Sequence, residues 1–189
     1  MTHTILWRGI DKPGHDYCRL VESATGARLS GLTLRSHEQI PAYIGYDVEC
    51  DVAWHTLRCT VKASVGDEHL DLDIRRRGKH WMMNGMEVKE IEGAADIDLS
   101  FTPATNLLPI RRLGLEVGET ATVVAALLRF PDFTLEPLDQ RYTRLDEFTY
   151  HYESGNGAFR ADLKVDRAGL VLDYPGQWVA ESHASTTSQ

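Results

Sequence analysis

Most of this chain alternates between apolar and polar positions. From Tyr46 onward, Tyr46, Val48, Cys50, Val52 and Trp54 fall on one face and Asp47, Glu49, Asp51 and Ala53 on the other. A period of two with a polar opposite face predicts a half-buried antiparallel strand. His55-Thr56 then reads as a two-residue turn into Leu57, Cys59, Val61, Ala63 and Val65. That turn pairs Trp54 with Leu57 and sets acids on the first strand opposite bases on the second. Shorter stretches of the same kind flank this hairpin. Ile5-Leu6-Trp7 and Tyr17–Leu20 are separated by Lys12-Pro13-Gly14, and Thr25-Gly26 turns into a run that places Leu32 and Leu34 on one face. Leu70–Arg75 and Asp96–Phe101 alternate again. Asn84-Gly85, between Trp81-Met82-Met83 and Met86-Glu87-Val88, is the strongest local hairpin signal. Both residues tolerate the positive φ of a type I′ turn.

In the C-terminal half, Ala121–Phe130 lacks alternation. Its β-branched start and its Phe130-Pro131-Asp132 stop favour a strand buried on both faces over a helix. Phe133–Leu138, Gln140–Leu145, Phe148–Tyr152, Ala158–Val165 and Leu170–Tyr174 read as further strands, with turns at 154–157 and 166–169. The small polar residues 182–189 predict a disordered tail, leaving 1–181 as one domain.

One stretch breaks the pattern. Thr102-Pro-Ala-Thr-Asn-Leu-Leu-Pro-Ile-Arg-Arg-Leu113 predicts a short apolar helix over about residues 103–112. Thr102 can cap it and Pro103 suits its first position. Pro109 should break or kink it, and Gly114 can end it. A helix this short does not hold in water by itself. Leu107, Leu108, Ile110 and Leu113 spread round enough of it to predict burial on most sides. The fold that follows is mainly β: a single antiparallel barrel, roll or strongly curved sheet of about a dozen strands wrapped around one short central helix. Such shapes often enclose ligand cavities.

Composition narrows the function classes. The 189 residues carry a formal net charge of −8, which offers no attraction to nucleic acid or to anionic lipid surfaces. No window approaches the roughly 18 apolar residues of a membrane span. The first residues lack the basic and apolar regions of a secretory signal, so a cytoplasmic protein is expected. Cys18, Cys50 and Cys59 have no Cys-x-x-Cys spacing and read as free thiols. The Gly-rich phosphate loop, Gly-x-Ser-x-Gly and His-Glu-x-x-His motifs are absent, and no cofactor or metal is expected.

Three sets of residues could carry chemistry. Asp96 and Asp98 lie on one face of a strand, about 7 Å apart, a spacing open to acid–base work or to a plain solvated face. Arg111 and Arg112 sit on the apolar helix. A buried guanidinium needs an acidic partner or a bound anion, so each is either a structural ion pair, with Asp96, Asp98 or Glu116, or an anchor for a ligand headgroup. Trp7, Trp54, Trp81 and Trp178, with Tyr142, Tyr150, Tyr152 and Tyr174, can line a sugar-stacking pocket or simply fill the core.

The central stretch also resembles the signature of a bacterial glycolipid-binding family, formerly a domain of unknown function. Similar segments include Leu6-Trp7-Arg8, Gly14-His15-Asp16-Tyr17-Cys18, Tyr46–Trp54, Trp81–Gly85, Gln140-Arg-Tyr142 and Val165-Asp166 through Asp173-Tyr-Pro-Gly176. The resemblance spans roughly residues 5–180. It implies a spiral β-roll around one apolar helix and a non-enzymatic role in binding lipid or glycolipid. The expected site is an apolar cavity beside the helix. Arg111, Arg112 and Asn106 would hold the polar head there, and Trp54, Trp81, Tyr142 and Tyr174 would form the walls. The competing expectations are a small-molecule enzyme using Asp96 and Asp98, and an interaction module using the outer face of the curved sheet.

Overall fold

The alternating segments join into one continuous curved sheet. The computed structural model describes residues 1–186, which contain 15 strands and a single α-helix. The first half is a meander: β1 (Thr2–Gly9), β2 (Gly14–Ser23), β3 (Gly26–His37), β4 (Ile40–Cys50), β5 (Thr56–Val65), β6 (Glu68–Arg77), β7 (His80–Met83) and β8 (Met86–Glu87). Each of these pairs antiparallel with the next. Next come β9 (Asp96–Leu99), the helix α1 (Leu107–Leu113) and β10 (Thr120–Arg129). A second meander follows: β11 (Thr134–Arg144), β12 (Thr149–Ser154), β13 (Phe159–Val165), β14 (Val171–Tyr174) and β15 (Trp178–Thr186). β15 pairs with β1 and joins the two meanders, so the strand order runs from β8 down to β1, then β15 down to β9.

One pair departs from the antiparallel expectation. β9 and β10 are parallel, with Asp96 opposite Ala125. Parallel neighbours need a crossover connection, and here α1 supplies it. The helix is therefore not an ornament inside the roll. It is the link that carries the chain from one strand to its parallel neighbour.

Several local expectations are corrected. The alternation predicts a strand through Trp54, but β4 ends at Cys50. The Asp51 carboxylate accepts the backbone N–H groups of Ala53 and His55, each at 2.9 Å, and Trp54 takes φ 67°. The turn is thus five residues long, and Val48 faces Cys59. The shift from the expected register is even, so the buried faces survive, and Glu49 faces Arg58 in place of the expected Lys62. Val52 and Leu57 are left exposed. Leu32 and Leu34 are also exposed, because β3 turns Ala27, Leu29 and Thr33 inward. The two strands expected over 133–145 are one, β11. Residues 182–186 of the expected tail continue β15, with Thr186 opposite Thr2; residues 187–189 lie outside the described residues. Asn84 and Gly85, both at positive φ, form the β7–β8 turn as the dipeptide predicts.

The helix region begins as a 3-10 turn, Ala104–Asn106, and ends at Gly114 with φ 55°. Pro109 does not break it. It occupies the third position of α1, where the orphan N–H groups of the first turn lie. Leu107 and Leu108 are fully buried in the larger core with Trp7, Trp81, Ile97 and Phe101. Ile110 turns toward a second cluster built on Tyr142, Tyr150, Tyr152 and Leu163. Gly169, at φ 94°, lets the β13–β14 turn press on the helix, since a Cβ there would lie 2.9 Å from Leu107 Cδ1.

Candidate functional site

The polar residues of the central stretch are tied to β2, β9 and β11. The Thr102 hydroxyl donates to Asp16 Oδ2 at 2.6 Å. Asp16 is fully buried and also accepts from Thr33 at 2.7 Å and from the Tyr46 hydroxyl at 3.0 Å. Burial pushes its pKa up to about 6, although all three hydroxyls oppose the rise. Tyr46 reaches this carboxylate across Gly31, whose absent side chain leaves room for the ring. The Thr105 hydroxyl accepts the Leu99 N–H at 3.1 Å, and Asn106 Oδ1 accepts from the Tyr142 hydroxyl at 3.1 Å.

The arginines close the other end. Arg112 makes a fork of bonds to Asp96 at 2.6 to 3.1 Å, with the Asp96 side chain only 1% exposed. Arg111 donates to Glu22 at 2.7 Å and to the Ala168 carbonyl at 3.0 Å, and it stacks 4.5 Å over the Trp54 ring. Each guanidinium has its acidic partner within the chain, as a buried charge requires.

A cleft of about 340 Å³ opens beside the start of the helix. It is lined by Asp98 and Leu99 of β9, by Ser100, and by Thr102 and Asn106. Leu127 of β10, Leu138 of β11, and Tyr152, Phe159, Tyr174 and Trp178, from β12 to β15, also line it. β11 pairs with β12 only from Gln140 onward, which leaves its first half splayed from the rest of the second meander. Asp98 Oδ2 accepts from Gln140 Nε2 at 2.6 Å, and that amide also donates to the Tyr152 hydroxyl at 3.1 Å. Burial pushes the Asp98 pKa up to about 6; the Gln140 bond opposes the rise and Asp96 adds to it. Burial likewise raises Tyr152 and Tyr174, so both phenols stay protonated at neutral pH. Arg129 at the rim is paired with Glu136.

A second, larger groove of about 490 Å³ lies on the outside of the sheet. Thr122, Val124, Arg141, Glu153 and Arg160 line it, and Glu153 is bridged by Arg141 at 3.3 Å and Arg160 at 3.0 Å. Asp139 lines it as well, and none of the residues expected at a site do.

The structure therefore sorts the expected residues. Asn106, Tyr174 and Asp98 line the cleft. Arg111 and Arg112 do not, because Glu22 and Asp96 hold them elsewhere. Trp54 belongs to the β4–β5 turn and to Arg111. Trp81 is fully buried core, its indole N–H bound to the Ala94 carbonyl at 3.0 Å. Tyr142 lies one layer beneath the cleft and positions Asn106. Asp96 and Asp98 are not equivalent, since the arginine fork occupies Asp96 alone. The cleft is also not the apolar cavity expected, for it contains a carboxylate, an amide and phenols. Two residues that shape it, Gln140 and Asp16, fall in segments that resemble the family, but no local pattern gives them a role, since each meets its partners only in space.

Comparison with known proteins agrees with this architecture. A DUF1089 family protein from Pseudomonas aeruginosa is 32% identical over 85% of this chain and 89% of its own, with a TM-score of 0.75. A β-barrel-like protein of the domain of unknown function DUF1849 from Brucella abortus superposes with a TM-score of 0.61 over 98% of both chains. At 10% identity that likeness is one of fold alone. None of the curated proteins matches the sequence. The profile of the family described as "Putative glycolipid-binding" matches residues 4–180, nearly the whole chain, and the chain belongs to that family.

Proposed function

We propose that this protein binds a glycolipid, without chemical conversion, in the cleft beside the helix start. The observation that supports the reading is the composition of the cleft. Aromatic rings and aliphatic side chains face a small number of polar groups, the usual make-up of a site for a small amphipathic molecule. The membership in a family with that description points the same way. At about 340 Å³ the cleft is at the small end of the roughly 300–1,000 Å³ typical of ligand sites. It suits one ring-sized group, with alkyl chains continuing past its mouth.

The enzyme reading loses its main support with Asp96, because the remaining carboxylate has no acidic partner in the cleft. The test of binding is direct. The protein is purified, extracted with organic solvent, and the extract analysed by mass spectrometry. A Leu138→Trp variant, which fills the cleft from β11, is treated in parallel. The expected result is a defined lipid from the natural protein and its loss from the variant, with the β-sheet circular dichroism unchanged. Equal lipid in both would place binding elsewhere.

A further inference from the structure

The cleft's polar groups say more about the ligand than its size does. Asp98 Oδ2 is used by Gln140, and among the described residues Oδ1 has no protein partner. Nor, among the described residues, does any side chain or carbonyl hold the Tyr174 hydroxyl, the Trp178 indole N–H or the Gln177 amide, all of which belong to cleft-lining residues. The open groups are thus one carboxylate acceptor and several neutral donors. Among the described residues, the one cation lining the cleft, Arg129, is already paired with Glu136. Arg112, the cation nearest to β9, is consumed by Asp96.

An anionic headgroup would meet only neutral donors here, with no unpaired cation to balance its charge and a carboxylate to repel it. A phosphate or sulfate site is built from arginine forks, lysines or backbone N–H groups at a helix start. Among the described residues, neither an unpaired arginine nor a lysine lines this cleft. A sugar ring, by contrast, carries hydroxyls that can donate to Asp98 and accept from phenol, indole and amide. It also has apolar C–H faces that pack on rings such as Tyr174 and Trp178. An acyl chain in the cleft would strand the open groups of Asp98 and Tyr174 without water or partner, which costs free energy for each.

Resting on the binding reading above, we infer that the cleft holds an uncharged glycosyl headgroup, bound through Asp98, Tyr174 and Trp178, and that anionic lipids are excluded. The sign of the pH dependence separates a head from a chain at Asp98. Sugar hydroxyls bind the ionised carboxylate better, so affinity for a glycoside rises as pH rises through about 6. An alkyl chain desolvates the carboxylate further, so its affinity falls over the same range. The groups around Asp98 are Gln140, Tyr142, Tyr152, Tyr174 and Asp96, the last paired with Arg112.

The experiment titrates the full chain by calorimetry with n-octyl β-D-glucoside, n-octyl phosphate and 1-octanol, each below its aggregation limit, from pH 5 to 7.5. The expected result is saturable glucoside binding at least tenfold tighter than the phosphate, strengthening with pH. Asp98→Asn should weaken glucoside binding at least tenfold and flatten its pH profile. Tyr174→Phe, a milder change, should weaken the glucoside severalfold and leave octanol unaffected. Octyl phosphate binding as well as the glucoside would overturn the headgroup assignment while leaving the cleft as a lipid site. Glucoside affinity falling with pH would overturn it too, placing the chain at Asp98. If none of the three binds and no lipid co-purifies, the binding reading itself fails and the inference falls with it.

Discussion

The bond between Arg112 and Asp96 is the sharpest test of how the central stretch works. Arg112→Met keeps most of the side-chain length and removes the charge. It leaves Asp96, 1% exposed, without its partner at the edge of the core, where Cys50 and Thr56 also lie. Breaking one side of a buried ion pair costs about 3–5 kcal/mol, because the surviving charge stays desolvated and uncompensated. For a chain of this size each kcal/mol lowers Tm by about 2–4 °C, so a drop of about 6–20 °C is expected. Arg112→Lys keeps the charge but loses the parallel fork, and about 1–2 kcal/mol is a reasonable cost. The double variant Asp96→Leu/Arg112→Met removes both charges together. It should return to within about 1 kcal/mol of the natural protein, since apolar replacement of a whole buried pair is often neutral or better. Urea unfolding followed by tryptophan fluorescence and circular dichroism gives each corner of this cycle. A cost below about 1 kcal/mol for Arg112→Met, or strict additivity in the double variant, would refute the structural role. If Arg112 instead anchored a ligand, Arg112→Met would abolish binding with little change in the unfolding midpoint.

Two further outcomes follow from the buried carboxylate under the helix start. Asp16 has its pKa raised from 3.8 to about 6, so its protonated form favours the fold: that contribution is complete below about pH 3.8 and lost as pH rises through about 6. At about 1.4 kcal/mol per pH unit, Asp16→Asn should gain up to about 3 kcal/mol relative to the natural protein between pH 3.8 and pH 6 and above. Asp98 has the same sign and window but is present in both proteins, so it cancels in the difference; a flat difference in urea midpoints across pH 4 to 7.5 would contradict the assignment. Gly31→Ala places a Cβ 2.1 Å from Tyr46 Cζ, and must push the ring off Asp16 and Thr102. A loss of about 1–3 kcal/mol in denaturant unfolding is expected, the usual cost of overpacking a filled core.

The fold was largely legible because its main signal is local. Period-two alternation, Asn84-Gly85 and the break at Thr102 mark strands, a hairpin and a helix without reference to anything distant. What the alternation misplaces depends on single side chains. Asp51 captures two N–H groups and ends β4 early, although Val52 and Trp54 continue the pattern. Thr33 points inward past Leu32 and Leu34 because a buried carboxylate awaits it. The polar residues 182–186 join the sheet because β1 offers an edge to pair with, not because their own side chains favour burial. The site was less legible for the same reason. Asn106, Tyr174 and Asp98 could be singled out by type and position. Gln140 becomes important only because it reaches Asp98, 42 residues away in sequence.

Asp96 and Asp98 show how far spacing alone can lead. They are two residues apart on one strand and share a face, and by pattern they are interchangeable. The crossover helix makes them different. α1 ends so that Arg112 falls on Asp96, and it starts so that Asn106 and Thr102 frame the cleft that Asp98 lines. One carboxylate is spent on holding the connection between two parallel strands. The other is left with a single neutral partner, at a mouth ringed by phenols and an indole. A pair of acids able to exchange a proton needs both members free and facing one substrate. Here the geometry that fixes the fold removes one member. What remains is an acceptor suited to recognition.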